Sequence, residues 1–142
     1  MKVKTLFFLI PMAFAWGGET PPTGSKPLSE ILITVEKESF GTLSDVEFDD
    51  GVWEAKVCKA GVCEKLYFNP TSGELVRRRL SEADETPQGN VKPLSEIVKL
   101  VEAKGLGTIT EIEYDDGFWE VELRKDGKLN RVFVNPVSGE IK

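Results

Sequence analysis

Carboxylates are the reactive groups this sequence concentrates. Two stretches, EFDDGVWEAKV from Glu47 and EYDDGFWEVEL from Glu113, crowd acidic side chains around a glycine. A two-residue turn at Asp50-Gly51 or Asp116-Gly117 sets Glu47 opposite Glu54, and Glu113 opposite Glu120. Opposed carboxylates can share a proton or hold a divalent cation, which makes Glu47, Asp49, Glu113 and Asp115 weak metal candidates. A solvated acidic hairpin tip is the preferred reading. Cation sites gather more convergent oxygens, and Asp before Gly is a turn residue in its own right. No cofactor is expected.

The chain has no histidine, which removes Ser-His-Asp and Cys-His nucleophiles and histidine-ligated metals. An enzyme would have to work with carboxylates, Lys or Tyr alone, and no catalytic residue is assigned. The two cysteines, Cys58 and Cys63, flank a second turn at Ala60-Gly61. That turn places them face to face in a non-hydrogen-bonded pair, close enough for a disulfide. The C-x4-C spacing, with no helix following, favours a structural staple over a redox pair.

These groups sit on a duplicated scaffold. Residues 27–76 align with 93–142 at an offset of 66 without a gap, and 22 of the 50 positions are identical. Each copy opens with an amphipathic helix: Leu28, Ile31, Leu32 and Val35, then Leu94, Ile97, Val98 and Val101. Ser29 and Ser95 are candidate N-caps, Gly41 and Gly105 candidate C-caps. Three or four antiparallel strands follow, the last a short one over Glu74–Arg77. The first turn opposes Phe48 to Trp53 and Val46 to Ala55. The second, Ala60-Gly61 or Asp126-Gly127, opposes Trp53 to Phe68, Ala55 to Leu66, Trp119 to Val134 and Val121 to Val132. All these pairs share one face, which the helix can cover. The expected class is therefore α+β: two repeated units, each a helix on a three- to four-stranded antiparallel sheet. Trp53 and Trp119 anchor the cores. A unit of about 50 residues buries too little surface to be comfortable alone, so the copies should share a core or cover each other's edges.

Residues 1–15 read as a cleavable signal peptide. Lys2 and Lys4 precede an apolar run from Leu6 to Ala15, too short at about ten residues for the ~20 of a membrane span. No cysteine follows the site, so no lipid anchor is expected there. The mature chain would be periplasmic or secreted, without membrane insertion. Removing the leader leaves 16 basic and 24 acidic residues, a net charge of −8. That balance disfavours nucleic acid. Residues 16–26 read as a loose N-terminal arm, 27–76 as the first repeat, 77–92 as a polar linker and 93–142 as the second repeat. The basic run Arg77 to Leu80 reads as an edge guard or part of the solvated linker.

The stretches LSEI, DDGFWEVE and NPVSGEI, with their counterparts in the first copy, resemble the PepSY domain. Asn69 and Asn135 stand where that family usually has Asp. The resemblance implies a helix on an antiparallel sheet and a non-enzymatic exported protein that binds protein or peptide. Such domains are proposed to inhibit or modulate peptidases, and no catalytic residue carries over. In shape alone the tandem is similar to β-lactamase inhibitory protein. The expected binding face is the outer side of the sheet, at Glu54, Tyr67, Glu120 and Phe133. Tyr67 and Phe133 lie opposite outward Glu residues and are either exposed there or covered by the linker or the other copy. The alternative is an envelope protein that binds a small ligand or a divalent cation through the acidic tips.

Overall fold

A computed structural model describes residues 19–142; the expected signal peptide and the start of the arm lie outside the described residues. The elements run α1 (Leu28–Lys37), β1 (Thr42–Asp49), β2 (Val52–Lys59), β3 (Val62–Phe68), β4 (Leu75–Ser81), α2 (Leu94–Ala103), β5 (Thr108–Asp115), β6 (Phe118–Lys125) and β7 (Lys128–Val134). Helix-then-hairpins occurs twice, but the strands join one antiparallel sheet of seven, ordered β4-β3-β2-β1-β5-β6-β7. The two copies meet at its centre, where β1 pairs β5 through Asp45–Glu113, Val46–Ile112 and Glu47–Glu111. Both helices cover one face over a single continuous core.

The expected strand register holds at every pair named above. The turn residues Asp50, Ala60, Asp116 and Asp126 take left-handed φ of 51–53°, each followed by a glycine at positive φ, as tight hairpins require. Trp53 and Trp119 are buried at the two core ends, edge-on to Phe48 and Tyr114 at centroid distances of 5.2 Å. One irregularity repeats: a bulge at Ser44 and again at Thr110. It lets Leu43 and Val46, three apart, both face the helices, as do Ile109 and Ile112.

Four local expectations are corrected. The helices start after Pro27 and Pro93, with no side-chain cap from their own segment. Ser29 and Ser95 sit inside the first turn and bond to the opposite helix. Ser29 Oγ donates to Glu102 Oε1 (2.8 Å) and Ser95 Oγ to Glu36 Oε1 (2.6 Å), while each serine N–H donates to the second oxygen of the same carboxylate. Each helix thus places a negative charge on the positive end of its partner. Gly105 does follow the α2 C-cap (φ 64°), but its counterpart after α1 is Ser39 (φ 57°) rather than Gly41. Gly41 and Gly107 serve another need: a Cβ there would lie 2.7 Å from the Cys58 carbonyl oxygen or 2.6 Å from that of Arg124.

The third correction concerns the linker. Arg77–Ser81 continue β4, so the basic run is the edge strand itself. The fourth concerns the arm, which is tied down where described. Glu19 accepts from the N–H groups of Asp50 and Gly51 at the first hairpin tip, and Lys26 N–H donates to Pro70 O. Lys92 N–H donates to Pro136 O in the same way. The arm Glu19-Thr20-Pro21 and the later Glu85-Thr86-Pro87 are 66 residues apart, so the repeat begins earlier than Pro27.

Candidate functional site

Alternation along the strands sends the apolar residues to the helices, and among the described residues no helix covers the opposite face. On that outer face the cross-strand pairs form two rows. One runs Arg77, Tyr67, Glu54, Glu47, Glu111, Glu122, Arg131; the other runs Arg79, Lys65, Lys56, Asp45, Glu113, Glu120, Phe133. The middle of the face is acidic and its flanks are basic. The two-fold relation of the copies brings this about: Asp45 and Glu111 occupy one repeat position, Glu47 and Glu113 another, and pairing β1 with β5 stacks all four.

Like charges directly opposed on a sheet destabilise each other, and the protonation of these groups responds. Burial, then Glu113, Glu47 and Asp84, push the Asp45 carboxyl up to about 7, against the pull of Lys56. Asp45 Oδ1 is buried without a hydrogen-bond partner among the described residues. Burial, then Glu47, Glu122 and Asp45, push Glu111 up to about 8. Glu113 is raised by burial and then by Glu120, and Glu54 by burial despite Lys65. Ion pairs edge the cluster: Lys65–Glu54 at 3.6 Å, Lys56–Asp84 at 3.7 Å, and Arg131 to Glu120 (3.0 Å) and Glu122 (3.4 Å).

All four residues expected on the binding face, Glu54, Tyr67, Glu120 and Phe133, lie in these rows. Tyr67 is covered, at 8% exposure: Arg77 lies 5.0 Å over its ring and Arg79 Nε donates to its hydroxyl at 2.8 Å. Phe133, at the same repeat position, is 45% exposed. The weak metal candidates divide. Glu47 and Glu113 stand near the seam, whereas the antiparallel β1–β5 pairing sends Asp49 and Asp115 to opposite ends of the sheet. Cys58 and Cys63 form the expected disulfide, with Cα atoms 4.0 Å apart. Asp45, Glu111 and Asp84 join the site beyond the residues expected there. The first two carried a signal, as acidic residues on the outward alternation, but which strand would pair across the copies was not legible.

Two clefts lie at the other boundary between the copies. One, of about 380 Å³, is walled by Pro21–Leu28, Trp53, Glu102 and Gly107–Ile109; the other, of about 190 Å³, by the corresponding residues around Pro87 and Trp119. The Nε1 atoms of Trp53 and Trp119 are buried without an acceptor among the described residues.

The model of the family described as peptidase propeptide and YPEB domain matches this chain twice, over residues 3–79 and 81–142. A provisionally assigned lipoprotein from Clostridium difficile 630 has a crystal structure of similar fold. It is 13% identical, with a TM-score of 0.50, over 85% of this chain and 93% of that one. No curated protein matches at a significant level.

Proposed function

The chain belongs to the PepSY family and carries its domain twice, and from that premise we propose a non-enzymatic, extracytoplasmic module that binds a basic protein or peptide segment on the open sheet face. The family's description as a peptidase propeptide supports a peptidase as the protein so modulated. The apolar N-terminal stretch and the lipoprotein of similar fold support a location outside the cytoplasm. The reading rests on one observation: Asp45 opposes Glu113 and Glu47 opposes Glu111 across the central strand pair, on a face that no helix covers among the described residues. Cationic side chains laid over those carboxylates relieve the repulsion and let Asp45 and Glu111 ionise. Binding then releases protons, and affinity rises with pH toward and through about 7 to 8, where the two groups titrate.

The test is fluorescence anisotropy of a labelled arginine-containing peptide against wild type and an Asp45→Asn, Glu111→Gln double variant. Wild type binds more weakly as salt is added, and the variant binds at least tenfold more weakly at pH 8. Equal affinities at that pH overturn the proposal.

A further inference from the structure

The chain between β4 and α2 touches the outer face on its way. It leaves the sheet at Ser81, paired with Cys63 on β3, and is buried again at Pro87, in the wall of the cleft beside Trp119. Midway, Asp84 lies against the first copy's half of the seam. Hydrogen bond and ion pair both run through one atom: Asp84 Oδ2 accepts from Ser44 Oγ at 3.3 Å, at the β1 bulge, and pairs with Lys56 Nζ on β2 at 3.7 Å. Lys56 is the contested group. In the β1–β2 register it stands directly across from Asp45, yet its ion pair is with Asp84. The Lys56 side chain is 14% exposed and Asp45 Oδ1 is buried, so a segment seated on Asp45 needs that cover removed. The repeat does not duplicate this arrangement: Glu122 stands in the place of Lys56, and Gly18 in the place of Asp84.

We propose that residues 82–86 form a strap latched by Asp84 over the first copy's half of the acidic face, and that ionisation of Asp45 releases it by drawing Lys56 away. This regulation rests on the reading that the outer face takes a basic segment. The groups around Asp45 set the direction. Glu47 on its own strand, Glu111 and Glu113 on β5, Glu54 on β2 and Asp84 on the strap are all acidic. The cations are Lys56 and, one strand further, Lys65, which Glu54 already holds at 3.6 Å. While Asp45 is protonated it makes no claim on Lys56, and the Asp84 pair stands. Once Asp45 is ionised, two carboxylates compete for one ammonium, and the cross-strand partner is the one fixed in place by the sheet. Asp84, now repelled by Asp45 as well as Glu113, comes away. Asp45 titrates at about 7, so the strap lifts across neutral pH, the range in which the face gains charge to meet a basic segment.

The test places one nitroxide on the strap. The chain's two cysteines are joined to each other, so Ala83→Cys, at an exposed position, takes the label alone. We expect the mobile fraction of its electron paramagnetic resonance spectrum to rise at least about threefold between pH 5.5 and 8.5. Asp45→Asn in the labelled protein keeps the strap down throughout, and Lys56→Met leaves it mobile at every pH. A spectrum of the otherwise unaltered protein that does not change with pH overturns the proposal, as does an Asp45→Asn protein that releases its strap in the same way, or a strap that stays down in Lys56→Met. The spectra are taken without peptide, so the two readings fail separately. Release of the strap with no binding of the arginine-containing peptide removes the acidic-face reading and leaves the latch standing; peptide binding beside a strap that never moves removes the latch alone.

Discussion

The acidic seam should make this protein lose stability as pH rises through neutrality. For an ordinary ion-paired carboxylate the folded state releases its proton first, and stability grows with pH. Here the folded state holds protons longer. Asp45 titrates at about 7 rather than 3.8, and Glu111 at about 8 rather than 4.5. Below pH ~4 both folded and unfolded chains are protonated and the groups cost nothing. Between ~4 and ~8 the unfolded chain has lost protons that the folded one keeps, so the unfolding free energy falls; above that window it is flat at the lower value. At full weight the Asp45 displacement is worth roughly 4 kcal/mol, and Glu111, partly open to water, about 1–2 kcal/mol. The two share neighbours, so about 3 kcal/mol is the expected loss between pH 5 and 8.5. Glu113 and Glu54 act with the same sign. Glu64, lowered by its Arg78 hydrogen bond, acts oppositely, but only in acid, below the ordinary glutamate value. Urea unfolding followed by the fluorescence of Trp53 and Trp119, every half unit from pH 5 to 8.5, measures the slope. Asp45→Asn should flatten most of it and leave the protein more stable than wild type at pH 8.5. A wild-type stability that rises over this range, or a variant with the wild-type slope, refutes the reasoning.

Other expectations follow from single contacts. Reducing the Cys58–Cys63 disulfide should lower stability by less than the ~3 kcal/mol estimated for a longer loop, and Ala60→Asn, suited to the left-handed turn position, should recover about 0.5–1 kcal/mol of it, read as melting temperature with and without reductant. Gly41→Ala and Gly107→Ala should each cost more than ~2 kcal/mol, because the new methyl meets a backbone carbonyl at a φ that disfavours it; thermal unfolding checks this. Glu36→Gln with Glu102→Gln should cost about 1–3 kcal/mol, with the loss diminishing in high salt. Millimolar calcium should leave tryptophan fluorescence flat, since Asp49 and Asp115 cannot join Glu47 and Glu113 at one point.

What was legible in the chain was local. Turn chemistry at Asp50-Gly51 and Ala60-Gly61 set the β1–β2 and β2–β3 registers, and with them the disulfide and the inward Trp53, because a two-residue loop leaves one alignment. The bulge was half-visible: Leu43 and Val46 break strict alternation, as Ile109 and Ile112 do, in a pattern a regular strand cannot bury. The β1–β5 seam was not visible. Only three pairs join the copies in the sheet, and no turn connects the strands to fix them. Arg77–Ser81 misled for a related reason. An exposed edge strand needs no apolar alternation, so three arginines read equally as an edge guard or a solvated linker until β3 is there to pair with them. Ser29 and Ser95 misled because their carboxylate partners lie 73 and 59 residues away, beyond the reach of any local capping rule.

The seam raises a question of balance. Asp45–Glu113 and Glu47–Glu111 repel on the outer face, yet β1 and β5 stay paired, so attraction on the other face must exceed that repulsion. It is there: Val46 and Ile112 meet fully buried beneath two helices that close on each other through Ser29–Glu102 and Ser95–Glu36. One element carries both tendencies, apolar contact and helix-end charge pairing below, carboxylate crowding above. Adding positive charge to the outer face therefore removes a strain without forming or breaking any contact in the core. Such a partner should raise thermal stability by more than its affinity for a face of isolated carboxylates would give, and the excess should vanish at pH 5, where Asp45 and Glu111 are already neutral.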